Sequence, residues 1–255
     1  RPAMSVTLDL LPTRNGGAAE NMAVDFLLLQ RYPRPGAARF RHYGWHRPAF
    51  TFGYAQKFSF VRTQWPADAH FDVCRRPTGG GVVDHRDDWT YALVIPRGHR
   101  LEDLRATQSY REIHEALAAA LRAQGVAAVT KQAGDPAGVP FAAAGPEGVC
   151  FQRAEIYDVV HEGTGEKIAG AAQKRNKHGL LFQGSIWRPA CGASSAADAT
   201  KGKAVDWEKF SEDFAARIAA ALGGEAAATP WPELAEDELA ALVEHYSSPE
   251  WNEFR

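Results

Sequence analysis

The sequence is short of cysteine, of net charge and of long apolar runs, and each shortage argues against a class of protein. Its 255 residues contain three cysteines, Cys74, Cys150 and Cys191, without a CxxC pair, which argues against a disulfide framework or a zinc knuckle. The formal net charge is −2, so neither nucleic acid nor an anionic membrane is indicated as a partner. No apolar run approaches the roughly 18 residues of a membrane span, and no signal peptide is evident. Together these features predict a cytoplasmic protein.

The order of strand-like and helix-like segments predicts the fold class. Strands are predicted at SVTLDLLP, FRHYGW, AFTFGY, FDVCRR, WTYALVIP and GLLFQGSIW, and a hairpin at AEIYDVVHEGTGEKIAGAAQ that turns at residues 163–165. Helices are predicted at ENMAVDFLLLQR, SYREIHEALAAALRAQG, DWEKFSEDFAARIAAALGG and DELAALVEHYSS. A capping box of Ser109 and Glu112 is expected to open the second helix. Because helices and strands do not alternate strictly, we expect one α+β domain over residues 4–255 rather than a doubly wound sheet.

A run of three glycines stands out in RRPTGGGVVDH, residues 75–85. Glycines between strands often only form a turn. A third glycine, flanked by Arg75, Arg76 and Thr78, also suits a backbone that exposes N–H groups to an anionic or carbonyl-bearing ligand. The run Gly79–Gly81 fits neither a Walker loop nor a dinucleotide fingerprint. The loop by itself therefore leaves a turn and a ligand site open.

Two further stretches carry side chains suited to chemistry. In KIAGAAQKR, residues 167–175, the small residues Gly170, Ala171 and Ala172 let a ligand approach the backbone. Lys167 at the edge of that surface is either a solvated lysine or a cation aimed at a carbonyl or phosphate. In VCFQRAEIYDVV, Cys150 follows a Gly- and Pro-rich stretch. Such a position suits a nucleophile, although most lone cysteines are buried apolar residues.

Taken together, these stretches resemble the lipoate-protein ligase and octanoyltransferase superfamily. NMAVDFLLL, HYGWHRPAFTFGYAQ, RRPTGGGVVDH, KIAGAAQKR and EHYSSPEWNEF are similar to its successive motifs over nearly the whole chain. RRPTGGG and KIAGAAQ, about ninety residues apart, are the specific pair. The resemblance implies a mixed, largely antiparallel sheet flanked by helices, like the catalytic domain of biotin and lipoate ligases. It also implies attachment of octanoyl or lipoyl groups to a lysine of a lipoyl domain or of the glycine cleavage H protein.

Within that superfamily the sequence favours a transferase that takes the acyl group from acyl carrier protein and needs no cofactor. After His85 the chain continues as RDDWTYAL, whereas ligases usually continue as Asp-Leu-Gly-Asn. Cys150 falls where cysteine-dependent octanoyltransferases keep their nucleophile. The C-terminal accessory domain of many ligases is not expected here. An ATP-dependent lipoate ligase is the alternative. There Mg-ATP would be required, and Arg75, Arg76 and Lys167 would meet the adenylate phosphate. A non-catalytic acyl-binding or carrier-docking protein is a third possibility.

The resemblance also implies roles for single residues. Cys150 would form the acyl-enzyme, and Lys167 would favour its thiolate and stabilise the oxyanion. The run Gly79–Gly81 would line the acyl chain or donate N–H groups, and His85 would assist proton transfer or anchor the loop. One departure is visible: Gln183 in LLFQGSI stands where the family often has histidine. A plain hairpin around Thr164 would also hold Cys150 far from Lys167 unless the chain folds back.

Overall fold

A computed structural model of the chain describes residues 6–31, 34, 36–65, 70–135, 154–192 and 204–255. The strands of this described part are, in chain order, β1 Thr7–Leu10, β2 Ala37–Tyr43, β3 Ala49–Phe52, β4 Asp72–Arg75, β5 Val82–Asp84, β6 Asp88–Pro96, β7 Ala128–Thr130, β8 Val159–His161, β9 Lys167–Asn176, β10 Gly179–Trp187 and β11 Ala226–Ala228. The helices are α1 Ala18–Gln30, α2 Phe58–Val61, α3 Arg100–Asp103, α4 Ala106–Ala123, α5 Arg188–Gly192, α6 Trp207–Ala221, α7 Glu236–Ser247 and α8 Pro249–Asn252.

Two sheets organise these elements. The larger sheet has eight strands in the order β11-β1-β2-β6-β10-β9-β8-β7, and the smaller has three in the order β4-β3-β5. Among the strands named above, only the pairs β1–β11, β1–β2 and β3–β4 are parallel. The expected α+β class with a mixed, largely antiparallel sheet is therefore confirmed.

Helices cover both faces of the larger sheet. Their apolar residues recur at helical spacing, so each helix has an apolar side that is buried against the sheet. On one face Ile113 and Leu117 of α4 and Phe210 and Phe214 of α6 are fully buried in the main core. On the other face α1 buries an apolar stripe that includes Met22 and Leu28, and α7 packs beside it. The strand β6 has every residue buried. As in other sheets covered on both faces, its sequence reads as an apolar run rather than an alternation.

Two predictions about local structure are corrected. Helix α4 starts at Ala106, so Ser109 lies inside the first turn and donates to the carbonyls of Arg105 and Ala106 instead of capping the helix. The Ser109–Glu112 capping box was therefore wrong. The sequence pattern also did not predict the strands β5, β7 and β11. Each has three residues, too few to show the alternation of apolar and polar residues that marks a strand.

The hairpin around residues 163–165 is confirmed, but its ladder is short. Strand β8 pairs with β9 through Val160↔Lys167 and Val159↔Ala169, with an irregularity between them. Upstream of β8 the chain turns, with Tyr157 at a φ of 67° and the N–H of Asp158 bonded to the carbonyl of Glu155. Residues 154–158 therefore do not continue along β9. Cys150, whose expected distance from Lys167 assumed a plain hairpin, lies outside the described residues.

Candidate active site

A cavity of about 510 Å³, including its mouth, lies between the two sheets and beneath the glycine loop. The larger sheet and α1 contribute Met22, Tyr43, Thr90, Lys167, Gly170, Ala171, Ala172, Gln183, Gly184 and Ser185. The smaller sheet and its loop contribute Thr51, Arg76, Gly80, Val83 and His85. The RRPTGGG and KIAGAAQ motifs, distant in sequence, thus line one cavity.

Strand register places the floor of the cavity. Gly170 on β9, Ser185 on β10, Thr90 on β6 and Tyr43 on β2 are successive partners across four neighbouring strands. Side chains in one such row point to the same face of a sheet. Gly170 at one end of this row leaves space above β9, in agreement with the close approach expected at the small residues of KIAGAAQ.

Lys167 reaches into the space above Gly170. Its side chain is 8 % exposed, and Nζ lies 2.8 Å from Asp158 Oδ2. A Cβ placed on Gly170 would lie 2.8 Å from both Cε and Nζ of Lys167, so no side chain fits at position 170 while Lys167 keeps this course. The lysine is a buried, paired cation at the cavity and not the solvated side chain of the alternative interpretation.

Asp158 is held by two hydrogen bonds in addition to its ion pair with Lys167. Tyr110 Oη donates to Asp158 Oδ1, and the backbone N–H of Glu155 donates to Oδ2 at 2.8 Å. Tyr110 is itself fixed, because its Oη accepts from the N–H of Ala171 at 2.9 Å. Burial, reinforced by the charge of Asp158, raises the pKa of Tyr110 well above its ordinary value, so the phenol stays a donor. This network fixes the carboxylate that positions Lys167, and sequence patterns gave no sign of it.

The glycine loop is held in place by its own arginine. Arg76 donates through Nη2 to the carbonyls of Gly79 and Gly81 at 2.8 and 2.9 Å, and through Nη1 to Thr51 Oγ1 at 2.9 Å. Gly80, at a φ of 89°, faces the cavity beneath this clamp. Gly79 and Gly81 are not among the described lining residues; their carbonyls accept from Arg76, which does line the cavity.

Arg75, which was expected to contact substrate, makes its hydrogen bonds with the protein backbone. Its guanidinium donates to four backbone carbonyls, those of Tyr54, Gln56, Trp251 and Asn252, at 2.7–3.0 Å. It is not among the residues described as lining the cavity. Consecutive residues of an extended chain point to opposite sides, so Arg76 and Arg75 cannot both face one ligand. Arg75 joins the C-terminal Trp-Asn motif to the sheet.

Gln183 lines the cavity and takes part in a buried hydrogen-bond network. Its Nε2 donates to Asp25 Oδ2 at 2.7 Å and contacts Met22 Sδ at 3.3 Å, and its Oε1 accepts from Thr78 Oγ1 at 2.8 Å. Asp25 also accepts from Arg41 Nε at 2.7 Å. Thr78 therefore supports the cavity wall through Gln183 and is not itself among the lining residues of the described part.

His85 lies at the cavity between two polar partners. Its Nδ1 lies 2.7 Å from Asp88 Oδ2 and its Nε2 2.7 Å from Thr51 Oγ1. Burial opposes ionisation of Asp88, but the charge and hydrogen bond of His85 and the hydroxyls of Ser185 and Thr90 outweigh it, so the pKa of Asp88 is lowered. The imidazole also stacks on Trp45 at 4.1 Å between ring centres. These contacts hold the imidazole in place, and its Nε2 faces Thr51 within the cavity lining.

Cys150 lies outside the described residues. The other two cysteines have unreactive settings: burial raises the pKa of the Cys74 thiol far above its ordinary value and that of Cys191 to about 12.

Within the described ranges no cluster of three metal-ligating side chains occurs. The same part of the chain contains no helix long and apolar enough to cross a bilayer.

Comparison with known sequences identifies relatives. The model of the family described as "Lipoyl protein ligase A/B catalytic domain" matches residues 17–192. The octanoyltransferase LipM of Symbiobacterium thermophilum is 30% identical over 98% of this chain and 99% of its own length. LipM of Kyrpidia tusciae is 35% identical over 71% of this chain, and the match spans 65% of that protein.

Comparison with solved structures supports the fold. A bipartite lipoate protein ligase from Thermoplasma acidophilum superposes with a TM-score of 0.65 at 18% identity, covering 98% of this chain and 96% of that one. A lipoate-protein ligase A bound with ATP gives a TM-score of 0.65 at 18% identity, over 98% of this chain and 99% of that one. At this identity the likeness concerns the fold alone.

Proposed function

This chain belongs to the lipoyl protein ligase A/B catalytic-domain family, and from that premise we propose that it transfers octanoyl or lipoyl groups from acyl carrier protein to a lysine of a lipoyl carrier domain. The observation that carries the proposal is the buried Lys167–Asp158 pair at one end of the cavity. The LipM relatives, aligned at 30 and 35% identity, are named octanoyltransferases. Both sheets contribute to the cavity, which supports a single catalytic domain.

The cavity suits an apolar acyl chain because polar groups along its lining already have protein partners. Ser185 and Thr90 donate to Asp88, Thr51 pairs with His85, and Gln183 pairs with Asp25 and Thr78. A buried polar group without a partner would penalise an apolar ligand. With these groups satisfied, a hydrocarbon chain meets methyl groups, aromatic edges and the small residues of β9.

Chain connectivity makes Cys150 a suitable nucleophile beside Lys167. Glu155, five residues after Cys150, bonds through its backbone N–H to the same oxygen of Asp158 that pairs with Lys167. Five residues of extended chain span at most about 18 Å, so the segment is short enough to bring the thiol to the ammonium. The raised thiol pKa values of Cys74 and Cys191 leave Cys150 as the proposed nucleophile.

The proposed chemistry is two acyl transfers. The Cys150 thiolate attacks the carbonyl carbon of the octanoyl thioester, and the carrier thiolate leaves from the tetrahedral intermediate and takes up a proton. The neutral ε-amine of the acceptor lysine then attacks the acyl-enzyme, forms the amide, loses a proton and releases the Cys150 thiolate. The Lys167 ammonium favours that thiolate and stabilises each oxyanion, and the fixed position of Nζ makes this stabilisation effective.

An ATP-dependent lipoate ligase is the second candidate, supported by the ATP-bound ligase of the same fold. It would use Mg-ATP and an acyl-adenylate. The arginines expected to bind the adenylate phosphate already donate to protein carbonyls: Arg75 to four, and Arg76 to two of the glycine loop. This observation favours the ligase less than the transferase.

The acceptor is proposed from the chemistry of the family. The archaeal ligase of this fold is described together with its E2 lipoyl domain, which supports a lipoyl domain as the acceptor here. The glycine cleavage H protein is the other proposed acceptor.

A two-arm assay separates the candidates. One arm supplies octanoyl-acyl carrier protein without ATP, the other lipoate with Mg-ATP, each with a lipoyl domain as acceptor. We expect transfer in the first arm, lost in Cys150→Ala and Lys167→Ala and kept in the matched control Cys191→Ala. Full activity of Cys150→Ala in the second arm would establish the ligase instead. Absence of transfer in both arms would favour a non-catalytic acyl-binding protein.

A further inference from the structure

We propose that Met22, Tyr43 and Gln183 form an end wall that sets the longest acyl chain the cavity accepts, an inference that rests on the proposed acyl-transfer function. All three side chains line the cavity. Gln183 Nε2 contacts Met22 Sδ at 3.3 Å, and Tyr43 and Gln183 both donate to Asp25 Oδ2, at 3.0 and 2.7 Å. The three residues therefore form one continuous surface.

The wall stands opposite the reacting end. The ammonium of Lys167 lies above Gly170 on β9, and the row from Gly170 to Tyr43 crosses three strand spacings, about 14 Å. We place the acyl group along this row, with its carbonyl at Lys167 and its chain running toward Tyr43. Its methyl end then meets Tyr43, Met22 and Gln183.

The wall is rigid because it is supported from behind. Asp25 is fully buried and accepts from Arg41 Nε at 2.7 Å in addition to Tyr43 and Gln183. Tyr43 also packs in one buried apolar cluster with Leu28. Moving Tyr43 or Gln183 would break a buried hydrogen bond to a carboxylate, which is costly. The wall therefore acts as a fixed stop rather than an adaptable surface.

Met22 is the wall residue to vary because its side chain has no charge or hydroxyl in the network. Isothermal titration calorimetry with hexanoate, octanoate, decanoate and dodecanoate measures chain length without requiring catalysis. In the wild type we expect affinity to peak at octanoate. Met22→Ala removes the side chain beyond Cβ and should raise affinity for dodecanoate relative to octanoate by about tenfold or more. Met22→Phe should move the peak to hexanoate.

Leu27→Ala is the matched control, since it truncates a buried residue of the same helix that belongs neither to the described cavity lining nor to the apolar cluster of Tyr43. It should lose comparable stability and keep the wild-type chain-length profile. Unchanged profiles in folded Met22→Ala and Met22→Phe overturn the proposal, as does a wild type that binds all four acids equally. If Met22→Ala does not fold by circular dichroism, Met22→Val and Met22→Phe decide. If Met22→Ala and Met22→Phe shift the chain-length profile but the two-arm assay shows no transfer, the end wall stands and only the proposed transferase activity is rejected.

Discussion

Gly170 lacks a side chain where Lys167 needs the space: a Cβ at position 170 would lie 2.8 Å from the Nζ of Lys167 and 3.1 Å from Asp158 Oδ1. The small residue of the KIAGAAQ motif is thus explained by the course of the lysine. Any residue larger than glycine must displace the cation that the proposed mechanism uses. The lack of bulk at position 170 is a condition for the geometry of the ion pair.

Gly170→Ala should therefore lower the transfer rate by about 100-fold, because displacement of a catalytic group by roughly 1 Å has an effect of that size. Steady-state kinetics with octanoyl-acyl carrier protein measures it. Gly192→Ala is the matched control, since a Cβ there meets no atom within 4 Å and the residue lies outside the glycine loop and the described cavity lining, and it should remain close to wild type. Equal rates in the two variants would contradict the placement of Lys167.

Tyr110→Phe should lower kcat by about tenfold while KM changes little, because it removes the phenol that orients Asp158 and, through it, Lys167. Separate determination of kcat and KM checks this. Asp213→Asn, which removes a helix-surface ion pair, serves as the control and should not alter either constant. A rise in KM alone would show that Tyr110 contributes to substrate binding instead.

Arg75→Lys should destabilise the protein by about 2–4 kcal/mol, since one ammonium cannot serve the four carbonyls that the guanidinium binds. Activity per folded molecule should persist. Chemical denaturation measures the loss, with the exposed Arg111→Lys as control. A stable Arg75→Lys variant with weakened substrate binding would restore Arg75 as a ligand of the substrate.

His114 should make the fold sensitive to acid. Burial, aided by the charge of Lys167 and opposed by Asp158 and by the hydrogen bond to the carbonyl of Tyr157, lowers the pKa of His114 to about 4. An unfolded histidine titrates near a pKa of about 6.5, so the unfolded state takes up a proton first as the pH falls from about 6.5 to 4. Between about pH 7 and 4.5 this group should remove roughly 2–3 kcal/mol of unfolding free energy.

The control for that prediction is His114→Gln, which has no titratable group at this position. Its unfolding free energy, measured by denaturant titration at both pH values, should fall by correspondingly less than that of the wild type. Parallel losses in the two proteins would show that another group, for example the carboxyl of Asp88 with its lowered pKa, accounts for the acid sensitivity.

Some of the site was predictable from the sequence because its motifs are local. RRPTGGG and KIAGAAQ each carry their small residues and cations within a few positions, and the structure brings Gly80 and Ala172 together across the cavity. The long helices α4 and α6 were also predictable, since their apolar residues recur over many turns. From the residues alone, however, the functional interpretation would have reached only a ligand-binding α+β domain with a lysine and a possible cysteine.

The remainder depends on contacts between distant segments. Asp158 meets Lys167 and Tyr110 only through the pairing of β8 with β9 and the packing of α4, and no spacing in the chain indicates it. Asp25 and Gln183 are likewise joined from separate elements. Arg75 was expected at the ligand because it neighbours the glycines; no pattern in the sequence indicated its four hydrogen bonds to carbonyls of distant segments.

Intact mass spectrometry tests the central claim most directly. After mixing with octanoyl-acyl carrier protein and no acceptor, the wild type should gain about 126 Da, an octanoyl group in place of a hydrogen. Proteolysis should locate the added mass on Cys150, and Cys150→Ala should show no gain. Transfer to a lipoyl domain without any adduct on Cys150, or an adduct confined to another residue, would contradict the proposed acyl-enzyme.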